Sequence, residues 1–466
     1  MSRTRGLAAL VLLYFVLGHL IPPPETITPQ GWRQTAIFIT VIAGMVTEPL
    51  PASALVLMGL TAMAANGIPM RDVLGGFAQP SVWLVIIAML IAKVMLDCGL
   101  ARRIALLFVR AVGRTSLGVA YALQMTDVTL ASGVPSITAR SAGMILPIAR
   151  SIAELFDSRP GPTGKRLGGF LIAAMYQGSA VACAMFLTGQ ASNLLGADLA
   201  LKLVNVEVTW VSWFVAAIVP GLLSCAVVPW IAYRLLKPEV TTTPEAPIFA
   251  AGELKKMGPL SRDEWVTLLV FVGVGLMWIT SAWHRLDVTF VAMVGIGVLL
   301  ATGTLTWHAA ASERAAWDVF VWYGGMLQMG DLLNRTGSTR VLAENVAGLF
   351  AGIPWVVVFI GILIIYFYAH YFFASITAHL LAMFPPFVAV MIGIGVPPQL
   401  AVYSLLCTAN LTAGLTHYGT TTGPILFGVG YVSRGDWWKV GFFTSVANIV
   451  IWLTAGAAWW KWLGFW

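Results

Sequence analysis

The chain has 466 residues, of which 59% are hydrophobic and only 10% charged, with a formal net charge of +7. Apolarity on this scale, a mean hydropathy of +0.85, excludes an ordinary soluble domain. The positive balance needs no nucleic-acid partner, because a membrane topology gathers the basic residues on one side.

A helix needs about 20 apolar residues to cross the hydrocarbon core. Eleven spans are predicted on that basis: 7–23, 33–49, 52–67, 81–112, 167–188, 210–236, 264–283, 287–305, 317–334, 397–411 and 438–460. Segments 115–156 and 341–396 are longer and broken, and each is read as including a re-entrant hairpin. The first apolar stretch lacks an A-x-A cleavage pattern before Pro22-Pro23-Pro24, so residues 1–30 are expected to hold a retained membrane helix. One polar linker, 237–262, separates 31–236 from 263–466 and gives the two halves opposite membrane orientation. With the N-terminus inside, the inner segments carry 18 Lys and Arg and the outer ones 7, which predicts a cytoplasmic N-terminus and an external C-terminus.

Single residues add little along most of the chain. Cys98, Cys183, Cys225 and Cys407 show no metal or disulfide spacing and read as small core residues. Lys93 with Asp97, and Asp331 with Arg335, sit four apart and are expected to form structural pairs. The nineteen tryptophans read mostly as an interfacial belt.

The exception is a duplication. Ser136-Ile137-Thr138-Ala139 returns as Ser375-Ile376-Thr377-Ala378, 239 residues later, and Gly99 with Arg102 matches Gly337 with Arg340 at an offset of 238. Polar interruptions in corresponding places of two halves are the sequence sign of a repeat-built transporter with its site between the halves. Gly133 and Pro135 forbid a continuous helix through the first copy, so a hairpin tip is expected there. Its free N–H groups and the hydroxyls of Ser136 and Thr138, beside a helix N-terminus, suit a carboxylate. Ser375 and Thr377 offer the same from the other half.

Arg140 and His379 follow the two copies at the same position, and an ionisable group inside a membrane segment points to function. Arg140 would grip a carboxylate bidentately or, alternatively, pair with Asp127 in its own hairpin. Two further unwound stretches are predicted to complete the site: 188–193, with Ser192 and Asn193, and 416–424, with Thr420 and Thr421. No His-Glu-x-x-His is present and the six histidines are scattered, which argues against an intramembrane enzyme. Paired half-site breaks argue against a channel. No cofactor or metal is implied.

The motif 135–140, the run from Gly76 to Leu84, and Ala413 to Thr420 followed by Gly428-Val429-Gly430-Tyr431 resemble the divalent anion:sodium symporter family. The resemblance is strongest to its branch of bacterial citrate/succinate and tartrate carriers and plastid 2-oxoglutarate/malate translocators. It covers almost the whole chain. It implies an all-α polytopic membrane protein of about eleven spans plus two opposed hairpins in two inverted repeats. It further implies a homodimer in the inner membrane that carries di- or tricarboxylates by elevator-type alternating access. One departure stands out. The family's symporters carry Ser-Asn-Thr at each tip, contributing to sodium binding, whereas Ile137 and Ile376 offer no side-chain oxygen. With positive charge on Arg140 and His379 in place of sodium, an anion exchanger is expected; sodium- or proton-coupled symport is the alternative.

Overall fold

The computed structural model describes residues 3–337 and 352–466, and no β-strand occurs among them. Arg340 and residues 341–351 of the second broken segment lie outside the described residues. Seven of the described helices are long and apolar enough to cross a membrane, among them Pro80–Asp97, Gly168–Met185 and Trp210–Leu236. Ala52–Ala65 and Val288–Ala301 are shorter apolar helices.

Helix starts follow local chemistry. Thr28 accepts from Gly31 N ahead of Pro29, Thr115 from Gly118 N, and Asp287 from Thr289 N and Phe290 N. Thr209 with Ser212, and Ser261 with Glu264, form reciprocal capping boxes.

The single span expected over 81–112 is instead two helices, Pro80–Asp97 and Leu100–Val112. Gly99, at φ 86°, occupies the left-handed region and turns the chain between them. The second helix is amphipathic: Leu100, Leu106 and Val109 are buried, while Arg103 reaches Glu264 at 2.6 Å. The apolar side chains of this helix satisfied a hydropathy reading that could not register its one-sided charge.

The centre of the molecule is α1, Gly168–Met185, every residue of which is buried. Its Gly, Ala, Ser and Cys residues let neighbours approach closely, as small residues do between membrane helices. It packs against α2 (Trp210–Leu236), α3 (Ser116–Ala131) and α4 (Pro398–Leu411).

Two expected pairs are present: Lys93–Asp97 at 3.0 Å, with Glu313 also at 3.5 Å, and Arg335–Asp331 at 2.7 Å. All four cysteines are free thiols. The tryptophan belt is only part of the account. Trp213, Trp437, Trp452 and Trp460 are fully buried, and three of them donate indole N–H groups, to Ala184 O, Ser224 Oγ and Ala216 O. For these three, neighbouring helices supply the acceptor that a buried indole usually finds, whereas Trp437 Nε1 is buried without one among the described residues.

Candidate functional site

The first hairpin descends through α3, turns at residues 132–137, and returns through a π-helical stretch, Thr138–Ile145, into Leu146–Leu155. The second runs through Trp355–Tyr368, a 3₁₀ turn at Ala369–Phe372, and α5, Ile376–Gly393. The duplicated tetrapeptide has a local structural cause. Ser136 Oγ accepts from Ala139 N at 3.2 Å, and Ser375 Oγ accepts from Ala378 N at 3.4 Å. Each serine therefore caps the helix that leaves its tip. Ile137 and Ile376 point into the core, at 5% and 2% exposure.

Each tip faces a broken helix. After α1, Phe186 and Gln190 are extended on either side of a 3₁₀ turn at Leu187–Gly189 before the next helix starts at Ala191. After α4, a 3₁₀ turn at Thr412–Leu415 leads into the unwound residues 416–422. In hydrocarbon such backbone is tolerated only inside protein or beside a wet cavity.

Arg140 ties the first tip to the first break. Its Nε lies 2.6 Å from Asp127 Oδ1; Nη1 donates to Val134 O (2.5 Å) and Gly189 O (2.7 Å), and Nη2 to Cys183 Sγ (3.2 Å). The guanidinium and Asp127 are buried, at 0% and 2% side-chain exposure. Arg140 thus makes the Asp127 pairing given above as the alternative, and four of its donors are spent on protein. Ala191 N donates to Pro135 O at 3.2 Å and Thr188 Oγ1 to Ser132 O at 2.7 Å, which adds two more ties between the same segments.

The second tip is fastened in a parallel way by histidines. His379 Nδ1 lies 2.9 Å from His370 Nδ1, whose Nε2 lies 2.9 Å from Gly419 O. Gly189 and Gly419 are thus the backbone acceptors, one in each break, on which the two tips are anchored.

The remaining candidates divide by exposure. Asn193 and Ser192 are fully buried. Asn193 Nδ2 donates to Cys183 O and Phe186 O, its Oδ1 accepts from Asn410 Nδ2 at 2.8 Å, and Ser192 Oγ accepts from Gln190 Nε2. Thr420, 3% exposed, meets Tyr176 Oη and accepts from Gly423 N. These three shape the breaks. Ser136, Thr138, Ser375 and Thr377 are only part-buried and Thr421 is exposed, unlike those three.

The halves meet here. Thr138 Oγ1 of the first tip is 3.0 Å from Thr421 Oγ1 and 2.8 Å from Thr422 Oγ1 in the second half's break. Both tips also bear on consecutive residues of α1. Ser141 is hydrogen-bonded to Ser179, and Ile376 packs with Ala180 and Ala413.

Sequence reasoning did not single out His370, Tyr176 or Thr422. Tyr176 Oη donates to Ala413 O at 2.7 Å and fixes the second break from the centre of α1. The available signal for His370 was its place nine residues before His379, across the tip.

Dicarboxylate transporter 1, chloroplastic, of Arabidopsis thaliana is 39% identical over 99% of this chain and 83% of its own. The citrate/succinate antiporter of Escherichia coli (strain K12) is 32% identical over 96% of this chain and 95% of its own. Among solved structures, MtrF of Neisseria gonorrhoeae superposes with a TM-score of 0.59 over 97% of each chain at 16% identity, a likeness of fold alone. Residues 3–466 match the family described as the sodium:sulfate symporter transmembrane region, and the chain belongs to that family.

Proposed function

We propose that this chain exchanges di- and tricarboxylate anions across the cell inner membrane, binding them between the two hairpin tips. It is a membrane transporter rather than an enzyme, as its relatives are named. The observation that carries the reading is the meeting of Thr138 with Thr421 and Thr422, which brings hydroxyls of both halves together at the first tip; a serine caps the helix leaving each tip. Hydroxyl donors and the positive ends of helix dipoles are suited to carboxylates. Direct contact is assigned to Ser136, Thr138, Ser375, Thr377 and Thr421. Arg140, His379, Ser192, Asn193 and Thr420 hold the tips and breaks in shape.

Exchange is preferred to symport on two grounds. Ile137 and Ile376 are buried and offer no oxygen to a cation at either tip. An antiporter of citrate and succinate is also among the relatives that match nearly end to end. Two inverted repeats, elevator-type movement of the hairpin unit, a homodimer, a cytoplasmic N-terminus and an external C-terminus complete the reading.

The test is counterflow in proteoliposomes. Uptake of labelled malate, succinate, 2-oxoglutarate, tartrate or citrate should require an internal counter-anion and be unchanged when potassium replaces sodium. Strong uptake into empty vesicles driven by a sodium gradient would establish symport instead.

A further inference from the structure

The hydrogen bonds around His370 and His379 fix where their protons lie. Gly419 O can only accept, so His370 Nε2, 2.9 Å away, carries a proton. A neutral His370 then accepts at Nδ1, and the proton shared across the 2.9 Å contact sits on His379 Nδ1. A neutral His379 in turn has a bare Nε2. That nitrogen is buried without a hydrogen-bond partner, and the ring lies beside the Tyr366 backbone. An unsatisfied buried acceptor is already costly, and a proton placed there would bury a charge as well, which a negative charge close by would offset. A second added proton would leave both Nδ1 atoms donating to each other, so the pair has room for one.

Among the described residues the rings are packed mainly by aromatic side chains. The rings touch each other, Tyr366 at 4.5 Å and Phe373 at 5.1 Å between centroids. Of the helices packed on α5, Trp355–Tyr368 presents Tyr366 and Tyr368, and α4 presents Tyr403 and Cys407, none of them charged. Ala191–Val204 carries Asp198 and Lys202, and Pro29–Thr47 carries Arg33. Asp198 is held by Tyr323 Oη, and the break that His370 touches carries His417 and Tyr418, hydrogen-bonded to Trp438 Nε1 and Tyr371 O. Arg140, at the other tip, is paired with Asp127.

A dianion held between the tips would meet hydroxyls and helix ends, while the Arg140 guanidinium is already spent on Asp127. We propose that the His370–His379 pair is a proton-binding site that loads one proton from water as a dicarboxylate enters and gives it back when the anion leaves. This rests on the carboxylate reading above. His379 lies two residues from Thr377, and His370 holds Gly419 next to Thr420 and Thr421, so the added charge sits behind the proposed contact residues. Negative charge close by favours the protonated pair, and by linkage proton loading strengthens anion binding.

The experiment is calorimetric titration of the detergent-solubilised full chain with malate, near neutral pH, in buffers of widely different ionisation enthalpy. The expected slope is an uptake of up to about one proton per malate bound. In His379→Gln the uptake should vanish. Malate binding by the wild-type protein with no buffer dependence would overturn the proposal, as would the same uptake in folded His379→Gln. If that variant does not fold, the wild-type slope alone decides. If neither malate, succinate nor 2-oxoglutarate binds or exchanges, the carboxylate reading falls and takes this inference with it.

Discussion

Arg140→Ala is expected to abolish exchange and to destabilise the protein markedly. The substitution leaves Asp127 as a buried, unpaired carboxylate and frees the Val134 and Gly189 carbonyls from their donor. Breaking a buried pair by removing one partner typically costs about 3–5 kcal/mol. Because the same guanidinium joins the first tip to the first break, the loss reaches the proposed anion site as well as the fold. Arg140→Lys should rescue poorly, since an ammonium lacks the fork that serves a carboxylate and two carbonyls together. The double variant Asp127→Leu/Arg140→Met removes both charges and should recover thermal stability without recovering exchange. Near-normal melting and exchange in the Ala variant would show that the tip needs no such tie.

Gly441→Ala is expected to be the other severe change. A Cβ there would stand 2.4 Å from Gly414 O and 2.9 Å from Leu415 O. Both are backbone atoms of the turn that leads into residues 416–422, so they cannot rotate aside. Overpacking of this kind typically costs about 1–3 kcal/mol, and here the strain enters the second break directly. Melting temperature and counterflow rate should both fall. Gly361→Ala is the control: nothing lies within 4 Å of the added carbon, and Ala is the better helix former. Equal behaviour of the two variants would contradict the close approach of helix and turn.

The features legible in the sequence are those with a local cause. Ser136 and Ser375 announced themselves because a cap and the helix it starts are neighbours in the chain. Small polar residues inside apolar stretches mark the breaks at 188–193 and 416–424, and the structure corrects the bounds: Ser192 and Asn193 lie in the helix Ala191–Val204, and Gly423 and Pro424 begin the next helix after the second break. What stayed hidden depends on chain reversal or on backbone. His370 reaches His379 only because the 3₁₀ turn at Ala369–Phe372 folds the hairpin back, and a spacing of nine matches neither a helical nor an extended period. Gly189 O and Gly419 O accept through atoms that every residue possesses, so composition cannot reveal them. Asp127 was visible as one partner for Arg140, yet the sequence could not show that the two carbonyls and Cys183 would take up the other donors. The helix Leu100–Val112 was absorbed into a longer span because its arginines are diluted by leucines and alanines.

The central claim is that one dianion is shared by the two tips, a carboxylate to each. It is tested most directly by competition in the counterflow assay, comparing malate with lactate in Thr138→Val and Thr377→Val. Both side chains are only part-buried, so the substitutions should leave the fold intact. A hydrogen bond to a charged group is worth about 1.5–3 kcal/mol, so losing one at a tip should weaken malate roughly tenfold or more. Lactate, with a single carboxylate, should compete weakly in every protein and lose much less in at least one of the two variants. Equal losses for malate and lactate in both variants, or no loss for malate in either, would contradict a site shared between the tips.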